Sequence, residues 1–465
     1  MAKRITQKTF DDVVCENMQE FDMSAEEALQ EAEQQFLAQG IDLSNIVKDI
    51  SSHTGEGTTH PVVAAVQNLS GVLDSGDIDP TTVKAALAQI KTECDIDLPH
   101  RCLAGSNKAY PVLFKLCQKL SSDKELLKCC VDALSSLLNG QPDLVDQTGI
   151  EYFTNLLKDS EESEELCEAL VRMIRLTCVM HEKNRQAYVE QNLISVLISV
   201  LTAHQKSAGI VKEVCFALRV LTFDDDPRVP FGKAHEHAKM IVAEANALKV
   251  ILETCNGFTG DVAVLGELFA TLSKLAVRNE FCQEIADRGG LQLLMTTLTE
   301  NMHHQGLAKH SIGLMRTIAG NDNVKAAIVN AGGVELIVGA MGTHQAQPQI
   351  CENGCAALGT LALRLPPHCA KIVKCGGHEV IIQGMKIHKD VSAVQKQACM
   401  ALRNLVARTR EYCDPILELG AEGLINLAYQ QHKDCTDEAK SALRDLGCKV
   451  DLIERWKGER GEISQ

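Results

Sequence analysis

The sequence predicts an all-α solenoid of three-helix units with an N-terminal helical extension. Two observations carry this expectation: a five-residue phrase that returns every forty-odd residues, and a turn glycine at a fixed distance behind it. A third agrees with them, since aromatics make up only 4% of the chain, which points to packing by Leu, Ile, Val and Ala.

The phrase has the form small-Leu-Arg-x-Leu. It reads Ala217-Leu218-Arg219-Val220-Leu221, Thr271-Leu272-Ser273-Lys274-Leu275, Leu314-Met315-Arg316-Thr317-Ile318, Ala357-Leu358-Gly359-Thr360-Leu361, Ala401-Leu402-Arg403-Asn404-Leu405 and Ala442-Leu443-Arg444-Asp445-Leu446. Leu272, Met315, Leu358, Leu402 and Leu443 are separated by 43, 43, 44 and 41 residues, inside the ~40–47 of helical repeat units. Weaker earlier copies stand at Ala133-Leu134 and Met173-Ile174-Arg175.

A turn glycine follows four of these copies, at Gly289-Gly290, Gly332-Gly333, Gly376-Gly377 and Gly420-Ala421. Glycine permits the positive φ of a sharp turn. Gly149 and Asn192 are assigned the same role in the weaker copies. Between anchor and glycine there is room for a short helix such as Val324 to Val329, and a longer one follows, such as Val334 to Met341. The unit is therefore three helices.

Ahead of the array, residues 9–39 read as two amphipathic helices. The first carries Phe10, Val13, Val14 and Phe21 on one side, and the second opens with a capping box of Ser24 and Glu27. The expected organisation is an acidic helical segment over 1–50, a flexible linker over 51–60, capping helices over 61–99, the array over 100–457 and a tail over 458–465. Residues 1–60 hold twelve acidic against four basic side chains, about half of the net charge of −16. Such a balance repels phosphate backbones, so no nucleic-acid partner is expected.

Nineteen cysteines lie beside Leu and Ala in helical stretches, as in Leu127-Lys128-Cys129-Cys130. They read as reduced structural thiols of a protein of the cytosol or nucleus. Cys351 and Cys355 lack a matching Cys or His pair at ligand distance, so no metal and no cofactor is expected. No stretch is long and apolar enough to imply a membrane span.

The phrase and its glycine turn resemble the armadillo repeat family over roughly residues 100 to 457. Thr222–Met240, Arg278–Gln283 and Ala442–Gly447 carry a narrower resemblance to one subfamily. The resemblance implies a right-handed superhelical armadillo-repeat solenoid whose third helices line a concave groove, and a binding scaffold without known catalytic activity. It also implies that the fourth position of the phrase faces a ligand: Val220, Lys274, Thr317, Thr360, Asn404 and Asp445. A single asparagine and no tryptophan ladder exclude the groove chemistry that binds nuclear-localisation peptides.

The third position is richer. Arg175, Arg219, Arg316, Arg403 and Arg444 recur at repeat spacing, interrupted by Ser273 and Gly359. Guanidinium forks bind carboxylates and phosphates in bidentate fashion, although each could instead pair with an acidic neighbour. The candidate partner-binding residues are accordingly Arg175, Arg219, Lys274, Arg316, Arg403 and Asn404.

Leu218 and Leu272 are 54 apart, about ten more than the other intervals. The surplus lies in an insertion loop over 223–240, where three carboxylates beside Arg228 suggest a charge-locked loop and Phe231 can pack beneath it or meet a partner. Insertions of this kind mark binding faces. Arg228 and Phe231 join the candidates. A metal site from Asp224, Asp226, His235 and His237 is disfavoured, because alternating residues on a helix point about 200° apart. His237 or His235, in a His-x-His tract, is a candidate for histidine methylation.

No nucleophile elbow, phosphate loop or His-Glu-x-x-His tract occurs. The expected function is a monomeric, non-enzymatic scaffold binding an extended acidic or phosphorylated protein segment of unknown identity. A chaperone-like or assembly adaptor holding a client is the alternative, ahead of a nuclear-transport or nucleic-acid adaptor.

Overall fold

A computed structural model describes residues 3–48 and 59–450. The expected tail, most of the expected linker and the last residues assigned to the array lie outside this range. The chain divides into two compact units, Met1–Ala247 and Leu248–Gln465.

The first unit begins with a small module that has its own core. Strand β1 (Lys3–Arg4) pairs in parallel with β2 (Ile41–Asp42), and helices α1 (Gln7–Glu20) and α2 (Ala25–Ala38) lie between them in the chain. Phe10, Val14, Ala28, Leu29, Ala32, Phe36, Ile41, Leu43 and Ile46 form the core. The capping box is present, with the Ser24 hydroxyl accepting from the Glu27 amide and the Glu27 carboxylate accepting from the Ser24 amide. Phe21 departs from expectation: it sits at the C-cap of α1, beyond the amphipathic face, and is 63% exposed. The strand pair was not foreseen, because two residues per strand leave no alternation to read.

Repeats follow directly. Helices α3 (Pro61–Ser75) and α4 (Pro80–Ile96) cover the range expected to cap the array's first end, and α4 stacks on Lys124–Leu138 as a third helix stacks on the next. The first unit thus holds third helices at α4, Lys124–Leu138, Glu164–Cys178 and Ala208–Val220; the second holds them at Val262–Leu275, Gln305–Ile318, Pro348–Ala362, Ser392–Val406 and Thr436–Leu446. Buried Leu, Ile, Val, Ala and Cys fill each stack. Among the described residues no single helix is long and apolar enough to cross a membrane.

Two adjacent glycines answer two different demands at the turn between first and second helices. Gly289, Gly332, Gly376 and Gly420 take φ of 83°, 89°, 77° and 87°, and Asn192 takes 65°. Lys108 holds the same left-handed position at 64° without any glycine to announce it. The residue behind is needed for space: a Cβ on Gly290, Gly333 or Gly377 would meet the carbonyl oxygen of Ile285, Ile328 or Ile372 at 2.7, 2.9 and 2.9 Å. Gly149 is different from the expectation. It lies inside the helix Gln147–Asp159, where its amide donates to the Asp146 cap, and a three-residue 3₁₀ turn, Pro142–Leu144, stands in for that repeat's first helix.

All nineteen cysteines are free thiols and most are buried. Burial pushes Cys94 and Cys178 up to about 12, so these thiols stay protonated at neutral pH.

Gly332→Ala should cost about 1 kcal/mol or more through its positive φ, and Gly333→Ala about 1–3 kcal/mol through overpacking against Ile328. Urea unfolding of the two variants measures both, and a neutral Gly333→Ala would contradict the close approach.

Candidate functional site

Third helices place the arginine row on a half-exposed face, and most of its members are already paired. In the first unit Arg175 Nε donates to Glu213 Oε2 at 2.8 Å, and Arg172 Nε donates to the other oxygen of the same carboxylate at 3.0 Å. Arg175 and Arg219 both lie over the Phe216 ring, 5.4 and 4.4 Å from its centre. In the second unit Arg403 and Arg444 share Asp445, at 3.2 and 2.9 Å. Arg316 is different: its guanidinium donates to the Asn353 amide oxygen at 3.3 Å.

The fourth position does not uniformly face a ligand. Val220 is buried, because the helix Ala208–Val220 ends there and its last turn packs inward. Thr317 and Thr360 donate back to the carbonyls of Gly313 and Ala356 in their own helices. Asn404 donates to the Gly359 carbonyl on the neighbouring third helix at 2.9 Å. Its amide is thereby committed to holding repeats together. Lys274 is half-buried near the end of its helix.

A shallow cleft of about 490 Å³ opens in the second unit across three consecutive third helices. Ser273, Lys309, His310, Arg316, Thr317 and Asn353 line it, with Glu352 its only carboxylate. Ser273 and Thr317 are linked at 2.9 Å across the first two helices.

In the first unit the insertion is held by charge. Asp226 accepts from Arg228 Nε at 2.9 Å and from the Glu182 amide at 2.9 Å, while Arg228 Nη1 also donates to Asp143 at 3.2 Å and Nη2 to the Met180 carbonyl at 3.2 Å. Glu182 in turn accepts the Lys233 amide at 2.7 Å, closing the loop. Arg185 lies fully buried beneath, donating to Glu182 at 2.9 Å and to Asp225 at 2.6 Å. The helix resumes at Ala234–Lys239, so the insertion loop ends earlier than 240. Arg228 is a clamp within this network, and Phe231 projects from it with 91% of its surface exposed.

His235 and His237 face apart as the helical geometry requires. His237 is buried and its Nδ1 donates to the Leu221 carbonyl at 2.9 Å, whereas His235 is exposed. Of the two, only His235 is accessible at the surface of the folded chain.

Sequence reasoning missed Glu182 and Arg185. Arg185 stands four residues after the helix N-cap His181, where other repeats have Cys282, Lys325 and Cys369 behind Arg278, Asn321 and Leu365. A charged residue at a site otherwise able to hold a small thiol was the available signal, readable only once the cap register is known.

Stacked three-helix units with a left-handed turn between first and second helices define an armadillo-repeat protein, the architecture of a protein-interaction scaffold. A family model for ARMC6 matches residues 62–465, and one for the armadillo repeat-containing protein 6 N-terminal domain matches residues 2–62. The chain is 51% identical over 474 residues to human armadillo repeat-containing protein 6, covering 100% of this chain and 95% of the relative. It is 44% identical over 463 residues to the Drosophila melanogaster homolog, covering 98% of each. The crystal structure of an engineered protein superposes with a TM-score of 0.66 at 21% identity, over 95% of this chain and 99% of that one. The chain belongs to the armadillo repeat-containing protein 6 family.

Arg185→Met leaves Glu182 buried without its cation and should destabilise the protein by about 3–5 kcal/mol, measurable by chemical unfolding; a loss under about 1 kcal/mol would mean that the pair is solvated. Acid should act on the same network. The Arg228 guanidinium holds Asp226 well below the usual carboxylate range, and His181 holds Asp143 below it. Depressed carboxylates stabilise above their unfolded pKa, about 4, and that stability is lost as pH falls through the folded value. Hydrogen exchange of residues 223–233, corrected for intrinsic rates, should stay slow from pH 7 to about 4 and accelerate below it, and Asp226→Asn should flatten the transition.

Proposed function

We propose that the protein is a non-enzymatic scaffold that binds an extended acidic or phosphorylated segment of a partner protein across the third helices of its second unit. Arg316 carries this reading. The guanidiniums of Arg175, Arg403 and Arg444 already hold carboxylates, and recruiting them to a ligand would break existing pairs. Arg316 meets only the neutral Asn353 amide in the Ser273–Asn353 cleft, so a ligand carboxylate or phosphate gains a charge-assisted fork there without displacing an anion. Lys309 lines the same cleft, and the side chains of Ser273, Thr317 and Asn353 supply the polar groups that orient an extended backbone.

Arg316 and Arg403 separate on this basis. Reversal of Arg403 would set a new carboxylate against Asp445 and confuse a binding defect with local repulsion. Among the described residues Arg316 forms no ion pair, which makes it the cleaner probe.

Fluorescence anisotropy with extended acidic, phosphorylated and basic peptides tests the proposal. Arg316→Glu should weaken acidic and phosphorylated peptides at least about tenfold and leave the thermal midpoint within a degree or two of wild type. Raising the salt should weaken the wild type in the same order. Preference for basic peptides, or unchanged affinity in Arg316→Glu, would remove the cleft from the mechanism.

A further inference from the structure

The start of the repeat array brings together three side chains that the sequence keeps far apart. His60 is the N-cap of α3, Glu93 lies in the last turns of α4, and His100 lies in the first turn of α5 (Leu98–Ser106). Each offers one donor atom, and the three atoms lie within 4.8 Å of one another. All three residues are half-buried, and the imidazole of His100 is only 13% exposed.

We propose that His60, Glu93 and His100 bind one zinc-class divalent cation, with a fourth position open to solvent. Two imidazoles and a carboxylate are a donor set suited to zinc and poorly suited to magnesium, which prefers oxygen donors alone. In a tetrahedral site with bonds of about 2.0–2.2 Å the donors stand roughly 3.4 Å apart. Small side-chain rotations close that gap from the observed separations. The two imidazole rings already face one another, tilted, with centres 5.4 Å apart.

The surroundings fit a ligand set. His100 Nδ1 lies 2.6 Å from Asp97 Oδ1 and donates to it, which leaves the ring's lone pair on Nε2. This is the carboxylate support that fixes tautomer and ring orientation in metal-bound histidines. Gln89 Nε2 donates to Glu93 Oε1 at 2.7 Å and steadies that carboxylate while its other oxygen stays available as a donor. Arg101, the nearby cation, donates from Nη1 to the Cys94 carbonyl at 3.3 Å. His60 bears a cost: its Nδ1 accepts the Val62 amide at 3.3 Å, and ligation through either ring nitrogen gives up that long bond. A cation here would tie α3, α4 and α5 at their shared end, beside the cleft that His60 shares with Ile5, Gln7 and Asn45 of the N-terminal module.

The test uses the full chain, stripped with chelator and kept reduced, and titrates zinc in competition with a chromophoric chelator. Wild type and the exposed-histidine control His303→Ala should bind one equivalent tightly. Glu93→Gln and His60→Asn, which keeps a capping acceptor, should lose that equivalent or weaken it at least about tenfold. Zinc should raise the thermal midpoint of wild type alone, and magnesium should leave it unchanged. Cobalt should give visible d–d bands without a thiolate charge-transfer band. Identical titrations across the variants, equal binding of magnesium, or a thiolate band from the cysteines would each overturn the proposal. Should His60→Asn fold poorly, Glu93→Gln decides alone, since its substitution keeps shape and the Gln89 contact.

Discussion

Everything in this protein depends on third helices that cannot bury themselves within their own repeat. A unit of some forty residues exposes the face of its third helix until the next unit covers it, so stability grows only by stacking. One close backbone approach shows the tolerance. A Cβ on Gly359 would stand 3.1 Å from the Ala401 backbone, so glycine opposite alanine brings the helices Pro348–Ala362 and Ser392–Val406 close. The Asn404 amide then reaches the Gly359 carbonyl. The gap in the arginine row at Gly359 is therefore accounted for by packing.

A second device recurs at the ends of three third helices. Four residues after the N-cap of the preceding first helix, a buried side chain reaches the last-turn carbonyls: Cys282 to Thr317, Cys369 to Asn404 and Arg185 to Val220. Last-turn carbonyls lack an i+4 amide inside the helix; those of Thr317 and Val220 also accept the Gly320 and Phe223 amides of the following turn. A thiol is a weak donor, but it is small, tolerates burial and needs no countercharge. Arg185 does the same work with a strong donor and in exchange requires Glu182 and Asp225. The insertion between 221 and 234 supplies Asp225 and Asp226, so the long loop and the buried arginine form one unit of charge balance.

The repeats were legible because their signals are local and periodic. Glycine pairs and Leu-Arg phrases fix the register of Gly289, Gly332, Gly376 and Gly420 without tertiary information, and the observed φ angles follow. Where a different residue carries the same geometry the signal fades: Lys108 adopts the left-handed turn at the expense of strain that neighbouring packing offsets. Gly149 misled for the opposite reason, being a glycine inside a helix whose turn is set by the Asp146 cap. The N-terminal module was half legible. Its helices and capping box follow from amphipathic spacing, whereas its core depends on Ile41, Leu43 and Ile46 folding back from beyond α2. Pairings such as Arg175 with Glu213 or Arg403 with Asp445 span 38 and 42 residues and depend on the angle between successive helices, which no spacing rule supplies.

Pairing also decides how an arginine row should be weighed as a binding surface. Recurrence at repeat spacing places guanidiniums on one face, but a scaffold recruits only the charge that its own fold has left uncompensated. Glu213 sits between Arg172 and Arg175, and Asp445 between Arg403 and Arg444, each carboxylate neutralising part of two cations and holding adjacent third helices in register. These arginines serve the stack that the fold requires. Arg316 meets an amide where Arg175 and Arg403 meet carboxylates, and Asn353 in place of an acid makes that step of the ladder a candidate anion site. If the proposed anion site is right, what matters along the row is less which repeats carry arginine than which neighbouring repeats omit the carboxylate that would silence it.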